Sequence, residues 1–179
     1  MEPKEQTVGE AVSPETGADT VDPRRGAELA ARWWKWALSA PAERSPVGDT
    51  TGEFADWRQP EDVWFLAGTY GGRVVRRCPI PAGKPVFFPV FNTQRLALGL
   101  SSAPWRVETS GAEATLNGVP LRVQEFASRR FLAMGIPRVA WGQWCALDPL
   151  APGQYVLSIK ARAGEFSVDT TYHLDAVAY

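Results

Sequence analysis

The sequence predicts an all-β fold: an antiparallel β-sandwich, jelly-roll-like or barrel-like, with an N-terminal helix packed on it. Three observations lead there. Beyond residue 62 the chain breaks into short apolar or alternating segments punctuated by glycine and proline, of which the whole chain holds 16 and 15. Only one segment carries a clear helical period. The chain ends in two alternating runs joined by a short turn, which is the pattern of antiparallel strands rather than of a βαβ unit.

The elements follow in order. Residues 1–21 are acidic, polar and without periodicity, and are expected to be a disordered tail. Asp22-Pro23 is a helix start, with a capping carboxylate followed by proline in the first turn. The helix is expected over 27–38, where Leu29, Trp33, Trp36 and Ala37 form one stripe and Ala30 and Trp34 widen it. Pro41 ends it. A long connection, 41–61, holds Asp49-Thr50-Thr51-Gly52 as a tight polar turn.

Val63–Gly68 reads as a strand buried on both faces. Gly71-Gly72 is expected to turn it into a hairpin with Arg73–Cys78. Lys84–Phe91 is a further strand, interrupted by Pro89. Trp105–Glu108 alternates. Asn117-Gly118 is the strongest short-range hairpin signal in the chain. Residues 125–139 fit either a loop or a short helix, and Ala140–Leu147 an indole-rich strand. At the end, Tyr155, Leu157, Ile159 and Ala161 share a face. After the turn at Gly164, Phe166, Val168, Tyr172 and Leu174 face the core, while Asp169, Thr171, His173 and Asp175 point away. Residues 22–179 are therefore read as a single domain.

Composition narrows the function. Net charge is -1, but residues 1–22 carry -5 and the remainder +4. That excess is too mild for a nucleic-acid binder, and no nucleic-acid motif is present. No apolar leader and no stretch long enough to span a bilayer occurs, so the expected compartment is the cytoplasm, with no membrane partner. Cys78 and Cys145 are then expected to be buried free thiols. Two cysteines and one histidine match no metal-ligand spacing, so neither metal nor cofactor is expected.

Eight tryptophans are the dominant chemical feature. An indole is large and its N–H needs a partner when buried, so this number implies an indole-rich core or an aromatic pocket. Trp57-Arg58-Gln59 and Trp141-Gly142-Gln143-Trp144 each join indoles to hydrogen-bonding groups. Trp57, Arg76, Trp141, Gln143 and Trp144 are accordingly the expected ligand-binding set, for a small organic or sugar-like molecule. Since Arg76 and Arg77 are adjacent in a strand, one must turn inward, where Asp49, Asp56 or a bound anion would answer its charge. His173 is the candidate base and Asp49 the candidate acid or orienting group. The competing account leaves His173 on a solvent face, Asp49 in a solvated turn, and the tryptophans as core filling. Three functions stay open: a binding protein, a small metal-independent enzyme (isomerase, cyclase or hydrolase) using the same pocket, or a structural module. A homodimer is compatible with each.

The segments VWFLAGTYGG and RRCPIPAGKPVFFPV, with the preceding DTTGEF, resemble a widespread group of uncharacterised bacterial proteins, often secreted. The resemblance covers roughly residues 33–98 and 147–178 and implies a β-sandwich; it brings no activity and no catalytic residue. The chain differs from that group in its acidic N-terminus and in Phe54-Ala55, where relatives carry cysteine. Both differences point away from export and from a disulfide at Cys78.

Overall fold

The computed structural model describes residues 20–99 and 103–178. Among the described residues one α-helix, α1 (Pro23–Ser39), and a short 3-10 turn at Ala42–Arg44 precede ten strands. These are β1 (Trp64–Phe65), β2 (Gly72–Pro81), β3 (Val86–Leu96), β4 (Gly111–Leu116), β5 (Val119–Pro120), β6 (Gln124–Ala127), β7 (Phe131–Ala133), β8 (Ile136–Leu147), β9 (Gly153–Ala163) and β10 (Phe166–Val177). The fold is mostly β, as expected. Most of the 1–21 tail lies outside the described residues, but Val21 does not behave as free chain. Its N–H donates to Gln124 Oε1 at 2.9 Å, and Gln124 Nε2 donates to its carbonyl at 3.1 Å.

The helix starts four residues earlier than its apolar stripe suggests. Asp22 Oδ1 accepts from the Arg24 and Arg25 N–H groups at 2.9 and 3.2 Å, so the cap sets the boundary. Gly26 sits inside the helix because β6 lies close. A Cβ there would come within 2.3 Å of the Phe126 ring.

Two five-stranded sheets form. One has the order β1-β3-β8-β6 with β7 also on β8; the other has β2-β10-β9-β4-β5. The hairpins at Asn117-Gly118 and around Gly164 are antiparallel, as expected. The sheets themselves are mixed, which corrects the purely antiparallel expectation. β1 runs parallel to β3, and β2 runs parallel to β10 over ten residue pairs. Gly71-Gly72 therefore does not join a hairpin: the strands on either side enter different sheets. Both glycines have positive φ, 128° and 80°, so they supply the sharp bend that lets the chain change layers. Trp105–Glu108 alternates but forms no strand, and Trp105 is exposed.

Three layers result. Between the sheets lie Phe88, Val90, Trp141, Cys145, Leu157, Ile159, Tyr172 and Leu174. On the outer face of the β3–β8 sheet, α1 contributes Leu29, Trp33 and Trp36, packed with Phe65, Phe87, Phe126 and Trp144. Trp144 stacks on Phe87 at 5.0 Å between centroids and meets Trp33 edge-on at 5.7 Å. The Trp33 indole N–H is answered by the Leu66 carbonyl at 2.8 Å. The helix is thus packed through Trp33 and Trp36, as its stripe predicted.

Candidate functional site

The residues expected to bind a ligand are divided among different surroundings. Trp141 and Trp144 are three apart in β8, and a strand's period of two sends them to opposite faces. Trp141 enters the inter-sheet core; Trp144 lies under the helix and is fully buried. They cannot line one pocket. Gln143 shares Trp141's face, where its Oε1 accepts from Thr109 Oγ1 at 3.0 Å. Gly142 does allow a close approach, though of the chain itself. A Cβ at that position would lie 2.7 Å from Trp144 Nε1 and 2.8 Å from Asn92 Cβ.

Trp57 packs at the C-terminal end of α1. Its indole N–H donates to Ser39 Oγ at 3.2 Å and its carbonyl accepts from Trp36 Nε1. Gln59 is occupied as a strand substitute. Its amide accepts from the Phe65 N–H and donates to the Phe65 and Ala55 carbonyls. Its work is to close the free side of β1.

Arg76 is the inward member of the arginine pair, and is 1% exposed. Among the described residues no carboxylate answers it. Its Nε donates to the Asp49 carbonyl at 2.7 Å, Nη2 to the Val47 carbonyl at 2.9 Å, and Nη1 to the carbonyls of Ala67 and Gly68 and to the Tyr172 hydroxyl. Burial pushes the Tyr172 phenol up, more than Arg76 pulls it back. Arg76 therefore fastens the 47–49 segment and the 67–68 bend to Tyr172 of β10.

The candidate acid and base have different surroundings. Burial by itself would raise the Asp49 carboxyl, but donors at Thr51, Phe54 and Gly52 outweigh it and hold the group below the ordinary aspartate range. The Thr51 N–H and hydroxyl donate at 2.8 and 2.9 Å, and the Phe54 N–H at 3.0 Å. Asp49 is the organising carboxylate of a turn. His173 points outward from β10, in register with Arg77 on one side and Val156 on the other. It borders a shallow depression shared with Arg77, Gln154 and Asp175. No hydrogen bond joins it to Asp49 among the described residues.

The structure brings other aromatic residues together. A cavity of about 300 Å³ opens between α1, β3, the bend before β2 and the start of β10. Trp33 and Trp34 form its helix wall; Tyr70, Phe91 and Phe166 close the other sides; Asn92 and Gln94 stand on its β3 wall. The bulge in β3 builds it. The β3–β8 register slips between Pro89 and Phe91, and proline cannot donate to the ladder there. The bent strand brings Phe91 to 6.0 Å from the Phe166 ring. Gln94 Oε1 accepts from Arg138 Nη1 at 2.6 Å. Asn92 Nδ2 and Trp34 Nε1 are buried without an acceptor among the described residues. No Asp, Glu, Lys, Arg or His among them lines the cavity.

The sequence reading missed these residues because they come from four separated segments. Pro89 inside an apolar strand was the one local sign, since it marks a bulge. Among the described residues no group of three His, Cys, Asp or Glu is placed to hold a metal ion. No protein-family model, curated protein or solved structure matches this chain.

Proposed function

We propose that this protein binds an uncharged, ring-containing small molecule in the cavity between α1 and the bulged β3 strand. The observation that carries the reading is the combination of aromatic walls, no ionisable acid or base, and two lining residues whose buried N–H groups lack acceptors. Indole and phenyl faces take the flat apolar part of a ligand, and a carbonyl or hydroxyl oxygen would satisfy Asn92 or Trp34. A charged ligand would leave water for a site with nothing to pair it. Binding is favoured over catalysis because Asp49 is committed to its turn and His173 faces outward from the other sheet.

A thermal-shift and fluorescence screen tests the reading, using neutral aromatic and polycyclic compounds, sugars and organic acids. Neutral ring compounds should quench indole emission and raise the melting temperature, as a ligand selective for the folded state must. Organic acids should do neither. Asn92→Ala and Tyr70→Ala should weaken the hit, whereas Asp49→Asn and His173→Ala should leave its affinity unchanged. A hit insensitive to Asn92→Ala and Tyr70→Ala would place binding elsewhere.

A further inference from the structure

We infer that the β7–β8 hairpin end is a docking surface for an anionic lipid bilayer. Five large apolar side chains gather there in water: Leu96, Leu98, Leu132, Met134 and Ile136, each between 40% and 72% exposed. Single exposed apolar residues are ordinary on any protein; a contiguous group is not. The register brings Leu96 and Ile136 together on one face, with Met134 at the tip and Leu132 on the other face. Ala133 pairs with Ile136, and Leu96 pairs with Arg138 on the next strand. The Ala97 N–H bonds to the Pro137 carbonyl at 2.9 Å, which carries the register past the end of β3 and brings Leu98 level with Ile136. Arg130 Nη2 holds the Gly99 carbonyl at 2.7 Å, so the segment bearing Leu98 is tied to the hairpin.

The turn itself points to a surface role. Met134 and Gly135 both have positive φ, 53° and 75°. The hairpin at Asn117-Gly118 has nearly the same pair of angles, 50° and 80°, and uses the residues such turns prefer. Where β7 meets β8, the chain instead places methionine in the left-handed position, with its side chain 72% exposed at the tip. The local backbone gains nothing from that choice. An apolar surface that receives the side chain would.

Charge identifies the surface. No Asp or Glu occurs from residue 63 to 107 or from 126 to 147, the two stretches that supply this end of the molecule. Arg129 and Arg130 are exposed just before β7, and Arg95 and Arg138 lie half-buried beside Leu96. Arg129 and Arg130 continue into a groove of about 700 Å³ with Arg24 and Lys35, whose one carboxylate, Glu28, is paired with Arg25 and Arg32. A second copy docked tip to tip would oppose arginine with arginine. The apolar groups also lie on both faces of the hairpin: Leu132 pairs with Pro137 on one face, while Ile136 pairs with Ala133 on the other. A protein partner covers one side of such a tip; lipid surrounds it. Apolar tip and basic collar together match the acyl boundary and phosphate layer of an anionic membrane. The contact is at the interface and needs no spanning segment, so it departs from the sequence expectation of no membrane partner, which rested on the lack of a spanning stretch.

The test is co-sedimentation of the full chain with vesicles, either phosphatidylcholine alone or phosphatidylcholine mixed with phosphatidylglycerol. The protein should bind the mixed vesicles, bind neutral ones weakly, and release as salt rises. Leu132→Ser with Ile136→Ser, and separately Arg129→Glu with Arg130→Glu, should each lower partitioning roughly tenfold or more with an unchanged far-UV spectrum. Met134→Asn separates surface from structural roles: it should raise the melting temperature, by relieving the turn, yet weaken vesicle binding. Wild-type protein that stays in the supernatant with anionic vesicles overturns the proposal. So does equal binding by the Leu132→Ser, Ile136→Ser variant, or a dimer abolished by those substitutions in protein that ignores vesicles.

Discussion

Arg76 owes its place to five oxygen acceptors rather than to a countercharge. A guanidinium has five N–H groups and stays protonated, so burying it requires acceptors on all sides. The carbonyls of Val47, Asp49, Ala67 and Gly68, with the Tyr172 hydroxyl, supply them. Arg76→Met keeps much of the volume but strands these oxygens. It should cost about 3 kcal/mol or more, by the usual worth of hydrogen bonds to charged groups, measured by urea denaturation. Tyr172→Phe removes one acceptor and one donor and should cost less. Asp62 gives the opposite case, a half-exposed carboxylate between Arg32 and Arg25. The Arg32 hydrogen bond, reinforced by Arg25 and opposed by partial burial, holds its carboxyl far below the ordinary range. Its contribution is therefore complete above about pH 4, the ordinary aspartate value, and is lost as pH falls from there toward the folded value. Because the group is half solvated, the effect should stay below about 1 kcal/mol. Asp62→Asn should lower the melting temperature slightly at pH 7 and by less near pH 2; an equal loss at both values would contradict the assignment. The inward turn of one arginine was readable from its position in a strand. Its partners were not, because backbone carbonyls leave no mark in a sequence.

At the scale of elements, α1 is held by one aromatic layer. Trp33 is buried, meets Trp34, Trp36 and Trp144 at 5.1–5.8 Å between centroids, and spends its N–H on Leu66. Trp33→Ala should cost about 3–5 kcal/mol and reduce near-UV circular dichroism from the clustered indoles. Gly26→Val should also destabilise, because the Phe126 ring occupies the space a larger side chain needs. These features show what local sequence carries. The helix, the Asn117-Gly118 hairpin and the β9–β10 pair were legible, since each rests on a cap, a turn dipeptide or alternation within one short window. The separation of β1 and β2 into different sheets was not. β1 is apolar, β2 alternates, and a Gly-Gly pair stands between them, so local chemistry favours a hairpin. Their parallel partners, β3 and β10, lie far along the chain, and only assembly of both layers selects them. The same limit hid the cavity, whose walls meet only after β3 bends.

For the whole molecule, the two sheets enclose a dry layer that decides the chemistry of both cysteines. Cys78 enters it from β2 and Cys145 from β8, and both are free thiols. Burial is the main cause that pushes each up to about 12. Arg76 pulls Cys78 back and Asp49 and Asp56 push it further, without changing the direction. The thiolate is the reactive species, so neither sulfur should attack a disulfide or alkylating reagent while the layers stay closed. Exchange must then wait for opening of the sandwich, and reactivity becomes a measure of its stability. In native buffer at pH 8, Ellman's reagent should react with neither cysteine on the timescale of minutes. In denaturant it should release two equivalents without prior reduction. Substitutions that open the sandwich, Arg76→Met above all, should bring both thiols into reaction together. Asp62→Asn, which acts at the helix surface, should leave the rate nearly unchanged. Rapid native labelling of either cysteine would show that the layer is not closed around it, and labelling of one without the other would show that the two sheets open independently.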